Sequence, residues 1–160
     1  TNGSKLLACL LMIVGGSPAG TAGGIKTTTV AVLLLTAISV LRGNKDTECY
    51  GRKITFEIIR VGITITLVTF VFWLFGVTVM TVIEPQQKVL DLMFEATSAM
   101  ATVGLTVDLT PVLSDISHVV LMLMMYIGRI GPMTMALIFS GHVDKKNQFR
   151  TLPEAKIMVG

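Results

Sequence analysis

Between Arg60 and Glu84 the chain runs for 23 residues, 61–83 (VGITITLVTFVFWLFGVTVMTVI), without a charge. At about 1.5 Å per residue, a helix over this run crosses a hydrocarbon core of roughly 30 Å with a little to spare. Trp73 sits mid-run rather than at an edge, which predicts packing against another helix instead of interfacial anchoring. Composition agrees: 52% of residues are hydrophobic and 14% charged, against about 25% charged in a typical globular domain. Disordered, collagenous and disulfide-scaffold classes are excluded. Cys9 and Cys49 fall in different segments and carry no redox signal. The net charge of +3 is too small and too dispersed to suggest nucleic acid. These features predict an all-α integral membrane protein embedded in the lipid bilayer.

A second span is expected over 114–140, interrupted near its centre by Arg129. A charge there is costly against lipid, so Arg129 should face protein or water. The first hydrophobic region is broken as well. Residues 6–14 are apolar, 15–24 read GGSPAGTAGG, and 27–41 are apolar again after Lys26. Pro18 and the glycines cannot sit in a regular helix, and non-helical backbone survives at membrane depth only where it is buried in protein or lines water. A single broken helix is therefore predicted.

Residues 89–106 (VLDLMFEATSAMATVGLT) are too short in helix-compatible residues to span, and read as a re-entrant half-helix ending in a Thr-Val-Gly turn. Asp91 and Glu95 near its start suit helix packing or the positive end of the helix dipole. They have no nucleophile beside them for acid–base work. Charge sets the orientation. The linker 42–60 holds Arg42, Lys45, Arg52, Lys53 and Arg60, and the tail holds Lys145, Lys146, Arg150 and Lys156, whereas 84–115 has one Lys and five carboxylates. Linker and tail are expected in the cytoplasm, the half-helix opens from outside, and the N-terminus of this chain lies outside. No signal-peptide pattern precedes the first span. Tail cations either solvate the helix end or dock a cytosolic partner.

Consecutive backbone carbonyls at the C-terminal end of a half-helix can replace the water shell of a cation, and Gly104 lets the backbone turn. Thr102, Val103, Gly104 and Leu105 are candidate ion ligands on that basis. A plain glycine turn is the bland alternative, and the position between two spans favours the filter. The stretch GGSPAGTAGGIKTTT departs from a phosphate loop, because Ile25 intervenes between Gly24 and Lys26 and no strand precedes it. Gly16, Gly20 and Gly24 offer small-xxx-small packing, which Pro18 and Gly23 disfavour. An unwound segment obstructing or lining a pore accounts for both the glycines and the hydroxyls. Arg129, in YIGRIGP, is either a snorkelling helix-end arginine or an electrostatic barrier beside a cation path, and its depth favours the latter. Gly128, Gly131 and Pro132 would loosen the helix around it. His118 reads as interfacial rather than as a metal ligand.

Taken in order, GGSPAGTAGGIKTTT, FEATSAMATVGLT and YIGRIGP resemble the Trk/Ktr/HKT superfamily of potassium uptake proteins, and within it the membrane subunit of the bacterial Ktr system. The resemblance covers nearly the whole chain. It implies that Thr102, Val103, Gly104 and Leu105 form the fourth filter segment. It implies that Gly15, Gly16, Ser17, Pro18, Ala19, Gly20, Thr21, Ala22, Gly23 and Gly24, with Lys26, form the intramembrane gate loop of the third repeat, and that Arg129 lies near that gate. It further implies transport of K+ without catalysis, Na+ as a coupling or activating ion, a homodimer, and a cytosolic ring of nucleotide-binding regulatory subunits. The plasma membrane of a bacterium is the expected location.

The expected organisation is a broken membrane helix over 1–42 with its gate loop at 15–24, a cytoplasmic linker over 43–56, repeat four over 57–140, and a cytoplasmic tail over 141–160. Repeat four comprises a helix over 57–83, a pore helix over 89–101, a filter over 102–106 and a helix over 114–140. Family members carry four such repeats in one chain, so this sequence reads as the C-terminal portion of a longer subunit. A membrane anchor that conducts nothing is the alternative.

Overall fold

The 23-residue uncharged run lies within one helix of 28 residues, Phe56–Ile83. In the computed structural model, residues 1–17, 23–43, 46–49 and 52–131 are described. Five α-helices account for most of them: α1 (Asn2–Ile13), α2 (Thr27–Leu41), α3 (Phe56–Ile83), α4 (Val89–Met100) and α5 (Asp115–Ile130). Among the described residues α3 is the one helix long and apolar enough to cross a membrane, with a mean hydropathy of 2.2 in its best window. At 1.5 Å per residue it is about 42 Å long. Its side chains Ile63, Leu67, Phe70, Val71, Leu74 and Phe75 are exposed, as are Leu7, Leu10 and Leu11 of α1 and Val119, Leu123 and Tyr126 of α5. Apolar surface on that scale is not left facing water; it fits lipid or further helices. Hydroxyls on these helices are satisfied internally: Thr64, Thr66, Thr69, Thr78 and Thr81 each donate to the carbonyl four residues back at 2.8–2.9 Å.

The short α4 is the centre of the arrangement. Leu92 and every residue from Phe94 to Met100 are buried, including Glu95, Thr97 and Ser98. On one side Val77, Met80, Leu121 and Met124 bring α3 and α5 against Leu92, Ala96, Ala99 and Met100. On the other, Cys9 and Met12 of α1 meet Phe94 and Ala101. Lys5 near the start of α1 pairs with Asp91 near the start of α4 at 2.5 Å, so the two helices begin at the same end of the molecule. Trp73 packs on α4 as well, its indole N–H donating to Thr97 Oγ1 at 2.9 Å.

The break between α1 and α2 is closed by backbone. Val14 and Ile25 form a parallel bridge; Gly15 N–H donates to the Ile25 carbonyl at 2.7 Å, Ile25 N–H to that of Ile13 at 3.2 Å, and Thr27 N–H to that of Gly16 at 3.3 Å. Helix α1 ends at Ile13 with Val14 already extended, and Ile25 lies beside that exit. Between α2 and α3 the linker holds a two-stranded antiparallel ribbon, β1 (Glu48–Cys49) with β2 (Arg52–Lys53), which composition did not foretell.

Two further departures concern α5. The helix expected to reach residue 140 stops at Ile130, where Gly131 adopts φ +82°. The sequence reason is Pro132, which disfavours helical backbone at the residue before it; residues 132–140 lie outside the described residues. Arg129 therefore sits in the last turn of α5 rather than mid-helix. At the other end, α5 starts under Glu84: its Oε1 accepts the Ser114 N–H at 2.8 Å and the Ser117 hydroxyl at 2.9 Å. A carboxylate from the end of α3 thus caps α5 from a distance. Hydrogen bonding by Ser114, side chain before backbone, and then by Ser117 holds the Glu84 carboxyl below the ordinary carboxylate range. Because the folded value is the lower one, this stabilisation is complete at neutral pH and is lost as pH falls through the depressed value. Thermal unfolding followed from neutral to acid pH should show that loss in the parent protein and a flatter acid limb in Glu84→Gln; identical profiles would remove Glu84 from the cap.

Candidate functional site

The site is built where α4 ends. Ala101 and Thr102 close its last turn by donating to Thr97 and Ala99 at 2.9 and 3.1 Å, and Val103 N–H reaches back to the Ser98 carbonyl at 3.0 Å. Residues 103–107 then belong to no helix or strand. Thr102 holds φ +54° and Gly104 φ +83°. A β-branched residue in left-handed backbone costs on the order of 1–3 kcal/mol and persists only where its surroundings hold it. Val103, Gly104 and Leu105 are exposed. Among the described residues no backbone N–H donates to the carbonyls of Thr102, Val103, Gly104 or Leu105. The loop thus carries consecutive carbonyls with no backbone partner, next to the electronegative end of a buried helix.

Past the loop, Glu95 ties the chain back to α4. Its Oε1 accepts the Thr106 hydroxyl at 2.5 Å and the Val107 N–H at 3.0 Å, and its Oε2 accepts the Thr110 hydroxyl at 2.8 Å. Glu95 lies in the second turn of α4, past the reach of the helix dipole, which falls off within the first turn. Its role is as an acceptor for the returning segment, a role the sequence reading missed. The available signal was a lone acid in the otherwise uncharged run 92–107, with Thr106 and Thr110 downstream. His118 Nε2 lies 3.0 Å from the Thr110 carbonyl, which secures the same return from the α5 side.

Several candidate residues from distant parts of the sequence meet here. Gly23 N–H donates to Thr102 Oγ1 at 2.8 Å. Gly15 and Gly16 line one cleft together with Thr102, Val103 and Leu105. Arg129 lines a second cleft with Ser98, Thr102, Val103 and Gly104. The loop is therefore shared by one cleft that includes the Gly-rich break and another that includes α5. Gly24 takes φ +72° where the chain turns back toward α2. Ser17 is exposed, and Lys26 is the residue preceding α2. Pro18, Ala19, Gly20, Thr21 and Ala22 lie outside the described residues. What the assembled parts offer chemically is a set of backbone oxygens; among the described residues no group of His, Cys, Asp or Glu could hold a metal ion.

The TrkH cation transport protein family matches residues 2–150. The chain belongs to that family. This TrkH-family chain is 35% identical over 158 residues to the Ktr system potassium uptake protein B of Bacillus subtilis, covering 99% of this chain and 35% of that protein. It is 35% identical over 158 residues to the potassium/sodium uptake protein NtpJ of Enterococcus hirae, covering 97% of this chain and 35% of that protein. Against the Ktr system potassium uptake protein D of Bacillus subtilis the identity is 32% over 152 residues, with 95% and 33% covered. The chain thus spans about a third of the length of these relatives. TrkH is a family of cation transporters rather than of enzymes, and the mostly helical fold with its long apolar helix agrees with a membrane transporter.

Proposed function

We propose that this chain is the C-terminal part of a potassium uptake subunit and supplies one quarter of its selectivity filter. Two relatives are named for potassium uptake and a third for potassium and sodium. The observation that carries the reading is the buried α4, which ends in a loop whose carbonyls take no backbone donor among the described residues and to which the Gly-rich helix break is tied through Gly23. Carbonyls of Thr102, Val103, Gly104 and Leu105 replace water around K+. The ion then passes the stem of the 15–24 loop, which obstructs the path until it moves. Arg129 presents a positive charge beside the same path and raises a barrier to cations there.

In this reading 1–42 is the broken second helix of repeat three and 57–140 is repeat four. The chain crosses the bacterial plasma membrane three times, with its N-terminus outside and its tail in the cytoplasm. Sodium couples to or activates transport, the subunit dimerises, and a cytosolic nucleotide-binding ring regulates it.

The test is growth of a bacterium lacking potassium uptake on low potassium, with this chain alone and with the chain inside its full-length subunit. Growth with the full-length form alone is expected. Growth with the 160 residues alone would mean that several copies assemble a pore, and the four-repeat architecture would fall. Growth with neither leaves a membrane anchor as the better account.

A further inference from the structure

The contact between Thr102 and Gly23 assigns a separate task to a side chain that sits in the filter sequence. Gly23 is buried, so its N–H needs a partner, and Thr102 Oγ1 at 2.8 Å provides it. The approach is too close for any side chain on Gly23. A Cβ there would lie 2.8 Å from Thr102 Oγ1, 3.0 Å from its methyl and 3.1 Å from the Ala101 carbonyl oxygen. The stem is equally tight within itself, since a Cβ on Gly15 would lie within 2.2 Å of the Gly23 carbonyl oxygen. Backbone of the stem therefore rests directly on the base of the filter loop, and one hydroxyl bonds the two. The left-handed backbone of Thr102, at φ +54°, is unfavourable for a β-branched residue and is held where this bond forms.

We infer that Thr102 is a positioning residue whose hydroxyl fastens the Gly23 stem to the filter base, leaving ion ligation at this position to its carbonyl. The inference rests on the filter-and-gate reading above and deepens it: the conducting loop itself carries the catch that holds the obstructing segment. Thr102→Val keeps the shape and the β-branching, and so the backbone demand, while removing the acceptor. One neutral hydrogen bond corresponds to an equilibrium shift of roughly 2- to 10-fold.

In the full-length subunit, Thr102→Val is expected to raise potassium flux by about that factor, and Thr102→Ser, which keeps the acceptor, to raise it less. Gly23→Ala, which forces the same contact apart from the other side, should raise flux too, and combining it with Thr102→Val should add little. Gly23→Ala also carries the test by itself should Thr102→Val fail to reach the membrane. Parental flux in both single variants would overturn the inference, as would a loss of ion preference in Thr102→Val, which would make the hydroxyl an ion ligand. Failure of the underlying reading is distinguishable: there Gly104→Ser would retain potassium preference, whatever Thr102 does.

Discussion

Gly128→Ala is expected to unseat α5 from the end of α4 and, in the full-length uptake subunit proposed above, to abolish uptake. A Cβ at Gly128 would lie 1.9 Å from the Met100 carbonyl oxygen, 2.8 Å from its carbonyl carbon and 3.2 Å from its Cα. Those atoms are backbone in the last turn of a buried helix, so they cannot rotate aside. Either α5 moves away or α4 shifts, and the loop proposed as the filter starts two residues after Met100. Overpacking of this kind costs about 1–3 kcal/mol and occasionally more; a backbone-on-backbone collision belongs at or above the upper end. Alanine is otherwise the better helix former by about 1 kcal/mol, so the collision must exceed that gain to show. Gly76→Ala provides the comparison. Its Cβ would come within 2.4 Å of Met124 Sδ, and a flexible thioether can repack. Thermal unfolding of the solubilised subunit should drop sharply for Gly128→Ala and only slightly for Gly76→Ala. Equal effects would mean that α5 does not approach α4 through Gly128.

That prediction marks where the sequence was legible and where it was not. The 61–83 run declared its helix because an uncharged stretch of that length has one economical conformation at membrane depth. The Gly-rich break was equally visible, because proline and clustered glycines are incompatible with a continuous helix. In the sequence Gly128 reads only as one of the residues that loosen the helix around Arg129, because sequence shows that a glycine is present but not what stands 1.9 Å beyond its missing Cβ; its reason lies in a contact with a residue 28 positions earlier. Glu84 and Glu95 escaped for the same cause. Their partners Ser114, Ser117, Thr106 and Thr110 lie 11–33 residues away, and no periodicity links a lone acid to a distant hydroxyl. The overlong α5 had a local cause that was available: Pro132 follows Gly131, and the helix stops there.

Gly104→Ser is the second large effect, and its logic is the reverse of Gly128. At Gly104 a Cβ would meet nothing within 4 Å, so no collision complicates the substitution. What changes is backbone freedom, because φ is +83° and an L-residue there pays roughly 1–2 kcal/mol. The loop can avoid that cost only by rotating the peptide planes on either side, which re-aims the carbonyls of Val103 and Gly104. A filter built from those oxygens discriminates between K+ and Na+ through their number and placement. A loss of about 1.4 kcal/mol in preferential K+ binding lowers the selectivity ratio tenfold, and a displaced carbonyl is expected to cost at least that. The full-length Gly104→Ser subunit should therefore fold with nearly parental thermal stability, reach the membrane, and admit Na+ with its K+ preference reduced roughly tenfold or more. Paired measurement of rubidium and sodium uptake reads this directly. Preserved preference in a well-expressed variant would show that Gly104 is only a turn, and the loop after α4 would have to be given up as a filter.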